Sequence, residues 1–107
     1  MSTYVIFTRL SPDAFKDPSE FPGIAAGVAD RIKSECPQVN WKESFATTGR
    51  YDVVDIVEAP DIGAVERACM IIRAYGHGTT ETALATPWHE FLGALQAKKS
   101  EATIGTA

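Results

Sequence analysis

The spacing of apolar residues changes several times along this chain, and the order of those changes limits the folds available to it. Residues 3–10 are short, β-branched and aromatic, as is typical of a buried strand. From Phe21 to Cys36, apolar residues recur at three- and four-residue steps with charged residues between them. This spacing predicts an amphipathic helix, which Pro37 ends because the residue before a proline disfavours helical geometry.

The middle of the chain has the pattern of a hairpin followed by a helix. Residues 39–47 alternate between apolar and polar side chains, Gly49 supplies a turn, and residues 51–59 return as a second strand. A second helix then begins at Asp61, whose side chain can cap the free amides, and it closes at Gly76.

The last part of the chain completes the order of elements. A threonine-rich strand over residues 78–86 precedes a helix from about Pro87 to Lys98. The order β-α-β-β-α-β plus a terminal helix predicts a ferredoxin-like α+β fold, in which one antiparallel sheet packs two helices on one face. We expect residues 1–98 to form this single domain and residues 99–107 to be a mobile C-terminal tail.

Length and charge exclude several classes of protein. The chain of 107 residues has room for one hydrophobic core, and its net charge of −4 comes with scattered basic residues. Nucleic-acid binding requires a basic patch, so it is not expected. The chain shows no secretion-signal pattern, and no run approaches the roughly 18 apolar residues of a membrane span. We therefore expect a cytoplasmic protein with no membrane partner.

An acidic residue, Asp55, interrupts the second strand of the hairpin. Because side chains alternate along a strand, we expect Asp55 to share a face with Tyr51, Val53 and Val57. A bare carboxylate in a closed apolar core is unfavourable. Three environments would relieve it: a cation across an interface, retention of the proton, or a wet pocket. We favour a wet pocket at a subunit boundary.

The first strand of the hairpin has a similar mixture. In a regular strand, Trp41, Glu43 and Phe45 lie on one face, with the acid between the two aromatic rings. An apolar face with a few polar groups is typical of a subunit interface or a ligand pocket. We therefore consider Trp41 and Phe45 as ligand-binding residues, and Asp55 and Glu43 as candidate catalytic acids or bases. The sequence does not show which sheet face receives the helices.

The hairpin turn carries a family resemblance. Gly49-Arg50-Tyr51-Asp52, followed by VVDIVEAPD and a helix, resembles the signature of the GYD domain family of small bacterial proteins. The opening STYVIFTRLSP and the later GHGTTETALAT are also similar to that family, so the resemblance covers residues 3–91. It implies a ferredoxin-like fold related to dimeric α/β-barrel proteins, whose sheets pack face to face, but no catalytic residues. Asp55 departs from the family pattern, which has a small apolar residue there.

Tyr51 and Asp52, at the turn itself, have two interpretations. They can be structural, with Gly49 at a positive φ and Asp52 accepting hydrogen bonds from free turn amides. Alternatively they bind a small ligand at a pocket mouth. Arg9 and Arg50, near strand ends, are either surface residues or groups that hold a carboxylate ligand.

The candidate ligands for a divalent metal are two histidines and one acid: His77, His89 and Glu81. Their spacing matches no known ligand motif, so we predict no metal site, and the sequence identifies no cofactor. His77, just beyond a helix C-terminus, is explained more simply by the helix dipole.

Three functions fit these observations. The first is a small homo-oligomeric binding or accessory protein, a homodimer or larger, with a small-molecule pocket at the subunit interface. The second is a cofactor-independent monooxygenase- or isomerase-like enzyme of the dimeric α/β-barrel type, with Asp55 or Glu43 as acid or base. The third is a structural subunit of a larger enzyme complex. We rank them in that order.

Overall fold

A computed structural model describes residues 1–96, and these follow the predicted order of elements. The strands are β1 (Ser2–Leu10), β2 (Asn40–Ala46), β3 (Val53–Ala59) and β4 (Gly78–Ala85), and the helices are α1 (Phe21–Glu35) and α2 (Ile62–Gly76). A short 3-10 turn over Pro18–Glu20 precedes α1, and a third helix, α3, occupies residues 88–96. Residues 97 and 98, predicted to end that helix, and the predicted tail 99–107 lie outside the described residues.

The four strands form one antiparallel sheet in the order β2-β3-β1-β4. The two strands of the hairpin are neighbours, and β1 lies between β3 and β4. This arrangement confirms the predicted ferredoxin-like fold with an additional C-terminal helix. It also leaves β2 and β4 as the two edge strands of the sheet.

The core lies between the sheet and α2. Ile6, Val57 and Val65 are the largest fully buried side chains, from β1, β3 and α2 respectively. Burying a side chain of this size stabilises the fold by about 1.5–3 kcal/mol. Asp55 belongs to the same sheet face as Val57, so the face with Asp55 is the one that receives the helices. We call it the helix-covered face, and the other the open face.

The backbone of α1 lies farther from the sheet than that of α2. It approaches α2 and the turn before it, whereas α2 also approaches β1, β3 and β4; Ile32 of α1 still joins the buried core. The guanidinium of Arg31 in α1 lies 3.9 Å from the centre of the Tyr75 ring and donates to its hydroxyl at 2.6 Å, which joins the two helices. The apolar stripe of α1 therefore stays partly exposed above β2 and β3.

A β-bulge in β2 changes the predicted faces of that strand. Trp41 pairs with Val57, but the next paired residue, Glu43, lies opposite Ile56. One extra residue on β2 reverses the alternation of side chains beyond it. Trp41 therefore belongs to the helix-covered face, whereas Glu43 and Phe45 belong by register to the open face. The prediction that these three residues share one face is wrong.

The open face is apolar at its centre and partly exposed. Val5, Phe7, Val54 and Ile56 lie there on the two central strands at intermediate exposure, and Phe45 adds a more exposed ring at the β2 edge. Helices α1 and α2 both lie on the opposite face.

Helix α3 also presents apolar side chains to solvent. Trp88, Phe91, Leu92 and Leu95 recur at helical spacing and are all exposed, Trp88 to 71%. Residues 1–96 therefore leave this stripe largely uncovered. No helix among the same residues is long and apolar enough to cross a bilayer.

Candidate functional site

A cavity of about 720 Å³ lies between α1 and the sheet, above β2 and β3. It exists because α1 packs against α2 and leaves the β2 side of the sheet without direct helix cover. Its walls are mostly apolar and include Phe21, Ile24, Val28, Val39, Trp41 and Val53. The volume is within the range of pockets that hold small organic ligands.

Asp55 lies on the floor of this cavity and is only 6% exposed. The indole nitrogen of Trp41 donates to Asp55 Oδ1 at 3.0 Å and also to Ser44 Oγ at 3.0 Å. The bulge places Ser44 opposite Asp55 and moves Glu43 to the other face, so the indole of Trp41, which already shares the face of Asp55, lies between Ser44 and Asp55. The acid that interrupts the strand therefore has one hydrogen-bond partner and an apolar surrounding.

Thr8 is a second polar group in the cavity and is 3% exposed. Its Oγ1 has no hydrogen-bond partner among residues 1–96. Thr8 pairs with Val53 in the sheet and Asp55 with Ile6, so Thr8 and Asp55 are diagonal neighbours on one face. A buried hydroxyl without a partner is unusual and calls for a water or a ligand.

The nearest basic group of the cavity lining is Lys33 on α1, which is exposed. Among residues 1–96 the ion pairs are Arg31 with Glu35 and Lys42 with Glu58, so neither involves Asp55. The cavity thus combines apolar walls, a buried carboxylate with free acceptor capacity, and a buried hydroxyl. Such a site can bind a small molecule that has an apolar body and a polar group that donates hydrogen bonds.

The turn before β3 serves the sheet instead of the cavity. Gly49 has a φ of 112°, the positive value that the sequence predicted. Asp52 Oδ2 accepts from the Leu10 amide at 2.7 Å, and the Asp52 amide donates to the Thr8 carbonyl at 2.9 Å. Asp52 therefore joins the hairpin to the end of β1. This geometry supports the structural interpretation of Asp52.

Tyr51 lies on the open face, so the prediction that it shares the face of Asp55 is wrong: β3 begins only at Val53, and the alternation of side chains does not extend back to Tyr51. Its ring packs on Phe7 with centroids 5.0 Å apart, and its hydroxyl donates to the Glu81 carboxylate. Arg9 and Arg50 lie beside the same pair around a cleft of about 220 Å³. The hydrogen bond to the Glu81 carboxylate raises the pKa of the Tyr51 phenol above its ordinary value. Tyr51 connects the hairpin turn to β4.

The three residues considered for a metal do not meet. His77 follows the last residue of α2 with a φ of 56°, Glu81 binds Tyr51, and His89 lies on α3. Residues 1–96 contain no group of three or more His, Cys, Asp or Glu side chains placed to hold a metal.

The structure thus separates the predicted site residues into two groups. Asp55 and Trp41 meet in the cavity, whereas Glu43, Tyr51 and Arg9 lie on the open face. Phe45 belongs to the open face by register and also borders the cavity at the edge of β2. Sequence reasoning missed Thr8, since a threonine in a β-branched strand gives no signal of an unpaired hydroxyl.

Comparison with known proteins places the chain in a family. The profile of the GYD domain family matches residues 4–95. The chain belongs to the GYD domain family. This confirms the resemblance seen in the hairpin turn. No curated protein matches the sequence significantly.

Solved structures similar to this GYD protein agree on the fold. The leucine response regulatory protein LrpA of Mycobacterium tuberculosis has a TM-score of 0.55 and 15% identity over 80% of this chain and 51% of its own. The feast or famine regulatory protein of the same organism, complexed with L-methionine, has a TM-score of 0.58 and 11% identity over 81% and 51%. The GYD chain thus spans about half the length of these structures. At such identities they show the fold alone.

The pairing of Tyr51 with Glu81 predicts a pH effect. Because the pKa of Tyr51 is raised in the folded protein, the bond stabilises the fold below about pH 10, the ordinary pKa of tyrosine. That contribution is lost as the pH rises through the raised pKa. Tyrosinate absorbance at 295 nm, taken as the difference between wild type and Tyr51→Phe, should show that Tyr51 ionises at a higher pH than an ordinary tyrosine. Glu81→Gln should move this ionisation to lower pH, and an unchanged midpoint would contradict this account.

Proposed function

We propose that this GYD protein is a homo-oligomeric, cytoplasmic small-molecule-binding protein whose ligand occupies the cavity between α1 and the sheet. One observation carries the proposal: Asp55 and Thr8 are both buried at the floor of an apolar cavity, and each has free hydrogen-bonding capacity. A fold optimised for stability alone would place apolar residues at both positions. A ligand that hydrogen-bonds to both groups explains them.

The sequence led us to expect a pocket at a subunit boundary. We now propose that one chain provides the walls of the pocket, because α1, β1, β2 and β3 all line the cavity. β2 is an edge strand, so the cavity lies beside an unpaired edge of the sheet. A second subunit at that edge would narrow the mouth of the cavity, but the cavity does not require a second subunit.

An enzyme remains the alternative function, and Asp55 is the only acid that supports it. Glu43 belongs by register to the opposite face of the sheet, so a pair of acids sharing one site is not available. Asp55 in an apolar cavity, oriented by the indole of Trp41, has the position of a general base. Turnover of a bound molecule that Asp55→Asn stops without weakening its binding would favour this alternative.

We propose that the oligomer forms through the open face of the sheet. The central residues of that face are apolar and partly exposed, and α1 and α2 lie on the opposite face. Exposed apolar surface of this extent is typical of an interface. The pairing of two such faces agrees with the sheet packing that the family resemblance implied.

The first test of the proposal is binding of a neutral apolar probe. N-phenyl-1-naphthylamine, whose fluorescence rises in apolar surroundings, should bind saturably with one site per chain. Ala29 lines the cavity from α1 and is exposed, so the ring of Ala29→Phe should narrow the cavity and weaken the saturable signal. Ala26 is exposed on the same helix and does not line the cavity, so Ala26→Phe is the matched control and should bind normally. Equal binding by both variants would reject the cavity as the site.

The second test concerns assembly. Ile56 lies at the centre of the open face, and Ile56→Asp should dissociate the oligomer because it places a charge in the interface. Met70, 58% exposed on α2, provides the control Met70→Asp, which should leave assembly unchanged. Light scattering measures the mass directly, with circular dichroism to verify folding. A wild-type mass of 11.6 kDa at micromolar concentration would contradict the proposed oligomer.

A further inference from the structure

We infer that the ligand of this cavity is an organic cation: an apolar molecule whose protonated amine pairs with Asp55 and Thr8. The inference rests on the proposed function and adds the chemical class of the ligand. It follows from the hydrogen-bonding and charge balance of the cavity floor, considered group by group.

The first observation is the incomplete pairing of Asp55. Its Oδ1 accepts one hydrogen bond, from the Trp41 indole at 3.0 Å, and its Oδ2 accepts none from residues 1–96. A carboxylate has about four acceptor sites, so most of its capacity remains free. A ligand with hydrogen-bond donors can therefore add bonds to this carboxylate.

The second observation is charge. Asp55 is 6% exposed and belongs to neither ion pair of the described residues. A buried carboxylate without a counter-charge is unfavourable, and a positively charged partner relieves this more than a neutral donor does. A ligand with a carboxylate of its own would be repelled at the same place. The charge of the site thus favours a cation over an alcohol or an acid.

The third observation is Thr8. Its unpaired Oγ1 lines the same cavity, diagonal to Asp55 on the neighbouring strand. An ammonium group has three donors, so it can give one to the Asp55 carboxylate and another to this hydroxyl. The aromatic ring of Trp41, which also lines the cavity, is a suitable wall for a cation or its apolar substituent. The remaining walls, from α1, suit an alkyl or aryl body.

Lys33 is the competing cation. It borders the cavity from α1 and is exposed. Its long side chain ends in an ammonium group, the same chemical group as that of the proposed ligand. If Lys33 neutralised Asp55, no ligand cation would be required. The test therefore has to separate a ligand cation from this side chain.

The experiment measures displacement of N-phenyl-1-naphthylamine by three molecules with the same apolar chain: octylammonium, 1-octanol and octanoate, at pH 7. We expect octylammonium to displace the probe at about tenfold lower concentration than 1-octanol, the effect of one charged hydrogen bond. Octanoate should be the weakest. Asp55→Asn should abolish the advantage of octylammonium over 1-octanol, and Thr8→Val should reduce it.

Two control variants separate the site from general charge effects. Asp30→Asn removes one negative charge from the exposed part of α1 and should leave the advantage of octylammonium intact. Lys33→Gln should preserve or increase it. The order of the three molecules on wild type tests the inference even if a variant at Asp55 does not fold.

Three results would overturn the inference. Equal displacement by octylammonium and 1-octanol would indicate a neutral ligand. Stronger displacement by octanoate, lost in Lys33→Gln, would indicate an acid held by Lys33. An advantage of octylammonium that survives Asp55→Asn would assign the effect to the net charge of −4. Failure of the probe itself to bind wild type would instead reject the proposed function, so the two failures are distinguishable.

Discussion

The cavity depends on the position of α1 relative to the sheet. The backbone of α2 approaches β1, β3 and β4, whereas α1 lies beside α2 and reaches the core through Ile32. Arg31 bonds to the Tyr75 hydroxyl and joins the two helices, and the space between α1 and the strands β2 and β3 forms the cavity. Asp55 lies on the floor of that space, where its carboxylate is accessible to a partner in addition to Trp41.

The sequence predicted the order of the strands and helices correctly, but it did not predict which side chains of β2 lie on each face of the sheet. Apolar spacing predicted every strand and helix in order, because each element is long enough to show its period. The bulge between Trp41 and Glu43 left no such sign, since one extra residue in an edge strand changes the register without changing composition. The bulge determines the polar residues of the candidate site, because it places Ser44 opposite Asp55 and moves Glu43 to the other face.

The motif that identifies the family and the residues that form the cavity have different roles. Gly49 and Asp52 close the hairpin onto β1, and Tyr51 extends across Phe7 to Glu81 on β4. These contacts stabilise the sheet, so the motif predicts the fold well and says little about ligands. Asp55 lies outside this motif, and it is the residue on which the proposed binding function depends. The fold and the proposed function thus depend on neighbouring but separate residues.

The free energy of unfolding of Asp55→Val, measured in urea without ligand, distinguishes a binding role of Asp55 from a structural one. If Asp55 serves binding, valine should leave the stability unchanged or raise it, because an unpaired buried carboxylate is replaced by apolar packing. The Trp41 indole keeps a partner in Ser44, so its hydrogen bond does not oppose this result. A loss of about 3 kcal/mol or more would show that Asp55 is one partner of a structural ion pair, and would contradict the account.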